Sequence, residues 1–245
     1  MTRWLGLGLG LGRPLGIPLR LDLSWFVGLG VLVALSRELW APAATGAAAL
    51  GWSGLFAAGF FGCVLAHELA HALVARAVGV PTTEIRLFVF GGVARIAGEP
   101  ADPGDEALVA MAGPLASVTL AGLLALAAAQ VAGPPGDLLA WLFLGNLVVA
   151  AFNLLPGFPL DGGRVARALL WRLTGRRLLA TRVAASGGRA LAAALVVGGA
   201  GAALWQQTLR WLPQVVLGLF LWHAATQGER SAVRRELLAG RAERG

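Results

Sequence analysis

Residues 62–77 read GCVLAHELAHALVARA, and at their centre stands His67-Glu68-Leu69-Ala70-His71. Two histidines at i and i+4 fall on one face of a helix, so both imidazoles can reach a single metal ion. Glu68 lies beside that face, within reach of a water attacking there. This is the HExxH pattern of zinc hydrolases. Its surroundings set the fold class. The motif sits in an apolar run from Leu50 to Val80, and Gly51–Ala66 carries no charge. Ionisable groups at membrane depth are costly and mark function.

The rest of the composition agrees. Of 245 residues 57% are hydrophobic and 13% charged, and the mean hydropathy is +0.72. Such a chain reads as a polytopic membrane protein. Its net charge of +7 comes entirely from Arg, since all 20 basic residues are Arg. In a soluble protein that excess would suggest nucleic acid. Here the Arg cluster between and after the apolar runs, as orientation signals and headgroup contacts. Nucleic acid is therefore not an expected partner, and the lipid bilayer is. Cys63 is alone, which excludes an intrachain disulfide. Trp25, Trp40, Trp52, Trp205 and Trp211 fall near the ends of apolar runs, as interfacial aromatics do.

Outward from the motif, about six spans are expected: Trp25–Trp40, Leu50–Val80, Ala107–Val131, Leu138–Leu155, Ala184–Leu204 and Leu212–Thr226. Gly113-Pro114 should kink the third. The Leu/Gly alternation of Met1–Gly12 lacks a compact apolar core and a cleavage site, so it does not read as a signal peptide. Leu15–Ser24 alternates with period 2 and reads as a strand, with Pro18 favouring a sheet edge. A strand beside a span must pair its backbone, so it should join a small sheet. Its partners are expected in Pro81–Ile96, a β-prone hairpin around Gly91-Gly92. Gly98–Glu106 reads as a polar surface loop. Pro156-Gly157-Phe158-Pro159-Leu160-Asp161-Gly162-Gly163 reads as an irregular turn, and Arg164–Gly175 as a short basic helix on the headgroups. The fold class is thus membrane α-helical with a small membrane-associated β-sheet. Residues 1–227 form one domain and 228–245 a charged tail.

Arg distribution gives the orientation. Arg3, Arg13, Arg20, Arg76, Arg86, Arg95, the Arg164–Arg189 group and the tail fall on one side, against Arg37 and Arg210 on the other. Both termini and the metal motif are then expected toward the cytoplasm, with the chain a multi-pass protein of a prokaryotic cell membrane.

A catalytic zinc takes three protein ligands and leaves one position open. The motif supplies two. Asp161 and His223 are the candidates for the third. Asp161 is the stronger, held by Pro159 and Gly162-Gly163 at the end of a span. His223 lacks such a setting and reads as a packed interior residue. Cys63, one turn before His67, reads as a small packing residue. Gly198-Gly199 and Gly201 permit close helix approach in the fifth span.

Taken together, HELAH, FGGVARI (Phe90–Ile96), AGPLAS (Ala112–Ser117) and NLLPGFPLDGGR (Asn153–Arg164) resemble the site-2 protease family of intramembrane zinc metalloproteases. The likeness runs from Gly16 to about Arg172. It implies one Zn2+ per chain held by His67, His71 and Asp161. It implies Glu68 as general base and Asn153 as the residue that positions substrate or stabilises the oxyanion. The expected activity is endoproteolysis of a transmembrane or membrane-proximal segment of a membrane protein. A helical substrate must unwind to expose its amide, and Phe90, Gly91, Gly92 and Val93 are expected to bind the unwound strand. Relatives with LDGGR often continue into paired CBS domains. This sequence stops where those would begin, as either a short member or a longer one cut ahead of such domains would, and its Pro81–Glu106 stretch is too short for a PDZ insertion. The alternatives are a catalytically silent binder or chaperone that keeps the fold, which metal and cleavage assays would distinguish, and a zinc-binding transporter, for which no internal repeat is visible.

Overall fold

The computed structural model describes residues 8–40 and 45–242, with no side-chain account at 96 and 235–242. Arg3, the start of the Leu/Gly run and positions 41–44 of the first link lie outside the described residues. Seven α-helices and a four-stranded sheet follow in chain order: β1 Gly8–Gly10, β2 Leu19–Asp22, α1 Ser24–Trp40, α2 Gly46–Ala77, β3 Thr82–Phe88, β4 Gly91–Ile96, α3 Pro103–Ala128, α4 Pro134–Asn153, α5 Asp161–Thr174, α6 Arg177–Trp205 and α7 Leu212–Ala242. Four of the helices, α2, α3, α4 and α6, are long and apolar enough to cross a membrane. The chain divides into two compact units. One comprises Met1–Pro100 with Ala112–Ala151, the other Ala101–Met111 with Phe152–Gly245.

In the first unit the sheet order is β1-β2-β3-β4, with β2 parallel to β3 and the other pairs antiparallel. The expected strand at Leu15–Ser24 is shorter than its alternation suggested. Pro14–Gly16 is a 3₁₀ turn, and only Leu19–Asp22 joins the ladder. Nor is β2 an edge strand. Pro18 stands just before the ladder, where its missing N–H costs nothing, and its carbonyl accepts the N–H of Ile85 at 2.8 Å. The Leu/Gly run contributes β1, which covers β2 on its other side. Leu19 and Leu21 are buried and Arg20 is exposed, so the alternation holds over these three residues, while Asp22 after them is buried as well. With Ile17, Ile85 and Leu87 they pack on Val64 and Ala72 of α2.

The β3–β4 turn closes on Gly91, whose φ of 129° no other residue adopts without strain. The far edge of β4 faces α2, and there the Ala94 N–H donates to Glu68 Oε2 at 3.0 Å. At the start of α1, the Ser24 hydroxyl and backbone N–H both donate to Asp22 Oδ1, at 2.7 and 2.9 Å, which holds that carboxyl below its ordinary value. Two buried polar side chains inside the spans turn back on their own helices. Ser53 Oγ donates to the Ala49 carbonyl and Asn146 Nδ2 to that of Leu142.

In the second unit Leu160, just before α5, centres a core with Ala192 of α6 and Leu221 of α7. α7 runs without a break through Gly228 to Ala242. Gly199 of α6 lies against α7, and a Cβ there would stand 2.9 Å from Val215 Cγ2; Gly201 has nothing near it. Gly98–Glu106 is not wholly a surface loop. α3 starts at Pro103, and Glu106 in its first turn is fully buried in an ion pair with Arg167 of α5. The short basic helix exists, but Arg167 is buried and turned inward, since Glu106 offers it a charge partner that headgroups would otherwise supply. His223 is exposed on α7, contrary to the packed-interior reading, because Leu221 and Ala225 take the buried face.

Candidate metal centre

His67 and His71 stand one turn apart on α2, both buried, with their Nε2 atoms 3.1 Å apart and rings at 78°. Both nitrogens therefore address one point. His67 Nδ1 lies 2.9 Å from Ser117 Oγ, a buried hydroxyl on α3. For Nε2 to offer its lone pair to a metal the ring proton must sit on Nδ1, so Nδ1–H donates and Ser117 accepts. One turn earlier on the same face of α3 is Gly113. A Cβ at Gly113 would stand 2.5 Å from His67 Nε2 and closer still to His71 Nε2. The backbone thus leaves open the space beside the two ligand nitrogens. The AGPLAS motif pointed to α3 for its proline. Its working positions are Gly113 and Ser117, whose i, i+4 spacing was the available signal.

Glu68 is half-buried beside this pair. Its Oε2 accepts from Ala94, and Gly92 packs directly on its stem. A Cβ at Gly92 would lie 3.1 Å from Glu68 Cδ and 3.2 Å from Leu87 Cδ2. So β4 cradles the carboxylate, a role for Gly92 that the hairpin reading did not contain. Phe90 and Val93 are 39% and 46% exposed, open enough for a ligand to reach.

In the second unit Asp161 opens α5 and is buried. A carboxylate in the first turn is favoured by the helix N-terminus. The irregular segment is shorter than expected: it ends at Leu160, and Gly162-Gly163 are helical. Their purpose is close approach. A Cβ at Gly162 would lie 2.6 Å from the Leu155 carbonyl oxygen, and one at Gly163 would lie 2.5 Å from that of Gly157. Only hydrogen at both positions lets α5 start tight against the preceding turn. Asn153 is the last residue of α4 and is half-buried.

Among the described residues, His67, His71 and Asp161 form a potential metal-binding group, all three buried. Two imidazole nitrogens and a carboxylate oxygen are a donor set that suits catalytic zinc. The open backbone at Gly113 and the oriented His67 ring fit that reading.

Comparison with known proteins gives the family. The sequence pattern of peptidase family M50 matches residues 55–135 and 127–197. Over 190 residues the chain is 38% identical to Rip3 of Mycobacterium tuberculosis, whose name as a zinc metalloprotease is provisional; the match covers 72% of this chain and 46% of that one. It is 36% identical to the zinc metalloprotease MJ0392 of Methanocaldococcus jannaschii, over 76% of this chain and 52% of the other. The chain thus spans about half the length of the curated relatives it matches. Its fold is similar to the solved structure of a site-2 protease from Methanocaldococcus jannaschii, with a TM-score of 0.67 and 28% identity over 91% of this chain and 95% of that one. The family pattern, the relatives and the fold agree: the chain belongs to peptidase family M50 and is a member of the site-2 protease family.

Proposed function

We propose that this protein is an intramembrane zinc endopeptidase that cuts a transmembrane or membrane-proximal segment of a membrane-protein substrate. The observation that carries the reading is the buried His67–His71 pair, its nitrogens converging beside a carboxylate within an apolar helix. His67, His71 and Asp161 hold one zinc ion. Once bound, the ion supplies a Lewis acid that acidifies water and polarises the scissile carbonyl. Glu68 takes a proton from the attacking water and returns one to the leaving amine. The Ala94 N–H and the close face of Gly92 fix where that carboxylate stands. Asn153 donates a hydrogen bond to the negative charge that develops on the substrate. Its amide on the last residue of α4, ahead of the Asp161 turn, supports this role.

Phe90, Gly91, Gly92 and Val93 receive the unwound substrate strand, supported by the exposure of Phe90 in the β3–β4 turn and of Val93 on the strand that carries Ala94. The substrate reaches them from the lipid bilayer. We further propose six spans, with α1 and α7 joining the four apolar helices. Both termini then lie in the cytoplasm of a prokaryotic cell, as the Arg distribution supports. Residues 1–227 make up the protease domain and 228–245 a cytoplasmic tail. Reporter fusions at Gly104 and Gly175 should score on the cytoplasmic side and one at Gly136 on the other; the reverse pattern would overturn the orientation.

Substrate trapping tests the activity. Glu68→Gln, expressed in its host membrane, should retain membrane proteins that reconstituted wild type then cleaves within or beside a span. Retained proteins that wild type leaves intact would favour a silent binder instead.

A further inference from the structure

The turn before Asp161 is held from three sides, and one side chain sits at the meeting point. Phe158 donates its backbone N–H to the Ala184 carbonyl of α6 at 2.9 Å. Its ring lies beneath the Arg167 guanidinium of α5, 5.1 Å from the ring centroid. Arg167 is itself fixed, since Nε donates to Glu106 Oε1 at 2.6 Å and both side chains are buried. The ring also meets α7 at Gly228, where a Cβ would stand 2.9 Å from Phe158 Cε1. The backbone of the turn presses as closely on α6. A Cβ at Gly188 would lie 2.9 Å from the Phe158 nitrogen, and one at Gly157 would lie 2.8 Å from Gly188 Cα. α5 starts hard against the same peptide at Gly163.

We infer that Phe158 is a positioning residue for Asp161, and that through it α6 and α7 set the geometry of the metal centre. Asp161 is three residues beyond Phe158 and its carboxylate is the only donor expected from this unit. A stiff turn delivers that oxygen at one place; a loose one delivers it over a range. Metal–oxygen bonds tolerate errors of about 0.2 Å. The ring, in contact with both a fixed guanidinium and the backbone at Gly228, removes the freedom that the glycines and prolines of the turn would otherwise allow. Neither Phe158 nor Gly228 bears a ligand atom, so their effect on zinc can only be indirect. This inference rests on the zinc reading proposed above.

The test is zinc affinity of the full chain in detergent by chelator competition, with the Co2+ absorption spectrum as a report on ligand geometry. Phe158→Ala should weaken zinc binding about 10- to 100-fold, the range for residues that orient ligands, and shift or broaden the Co2+ bands, with Phe158→Trp retaining most of the affinity. Gly228→Ala, on a separate helix, should weaken binding severalfold, and adding Phe158→Leu should restore part of the loss by making room for the new methyl. Folded Phe158→Ala and Gly228→Ala with wild-type affinity and spectrum would overturn the inference. If Phe158→Ala does not fold, Gly228→Ala and its Phe158→Leu partner decide it alone. Zinc bound equally by wild type and Asp161→Ala would instead overturn the zinc reading beneath it, a result distinguishable from the first because Asp161 itself would then be idle.

Discussion

Gly113→Ala adds a single methyl group at the most sensitive point of the proposed metal centre. The new Cβ would stand 2.5 Å from His67 Nε2 and nearer to His71 Nε2. Carbon and nitrogen rest in contact at about 3.5 Å, so His67 must retreat by about 1 Å and His71 by more. Neither retreat is free. His67 is tied to Ser117 through Nδ1, and both rings are buried. The tolerated error in a zinc–ligand distance is about 0.2 Å, so a displacement of about 1 Å leaves the two nitrogens unable to share one ion. Zinc affinity should fall by 100-fold or more, at least as far as the upper end of what the loss of an orienting residue costs, and cleavage should fall with it. The assay is zinc content per chain after dialysis against a calibrated chelator, alongside thermal unfolding to show that the protein remains folded. A folded Gly113→Ala protein with wild-type zinc content would refute the reasoning, because it would mean that the ligand nitrogens do not address the space beside Gly113.

Other expectations follow from neighbouring contacts. Ser117→Ala removes the acceptor for His67 Nδ1–H, a hydrogen bond of about 1 kcal/mol, and should lower zinc affinity about 10-fold with little change in stability, read by the same competition assay. Gly92→Val should keep its zinc but lose most cleavage, because the branched side chain displaces Glu68 from its cradle on β4; unimpaired cleavage by this variant would show that Glu68 acts from elsewhere. Ser24→Ala should alter acid stability through Asp22. A carboxyl held below its ordinary value contributes stability above pH about 4 and loses it as pH falls through the depressed value. The variant should therefore be less stable than wild type near pH 7, with the gap closing on acidification, as thermal unfolding across pH 2–7 would show.

Much of this was legible in the sequence because membrane constraints are severe. An uncharged run must form a helix to satisfy its backbone, and HELAH within one fixes which face carries the ligands. The alternation at Leu19–Asp22 and the Gly91 turn marked the sheet, though not that β1 would cover β2 or that Pro18 would stand outside the ladder. Those outcomes depend on which segment arrives at an edge, and local pattern does not encode it. The buried Glu106–Arg167 pair was hidden for the same reason. An acidic residue after a Gly/Pro stretch and an arginine on a basic helix each look solvated until the fold brings the two, 61 positions apart in sequence, into one ion pair. Gly113, Gly92 and Gly228 were visible as letters, but their meaning lies in what a Cβ would strike, which only packed neighbours define.

The central claim is that Glu68 does chemistry at a zinc held by His67, His71 and Asp161. It is tested most directly by measuring zinc content and cleavage of a reconstituted substrate on the same preparations of wild type, Glu68→Gln and Asp161→Ala. The account predicts about one zinc per chain and cleavage in wild type, full zinc without cleavage in Glu68→Gln, and loss of both in Asp161→Ala. Cleavage by Glu68→Gln at the wild-type rate, or zinc retained in full by Asp161→Ala, would contradict it.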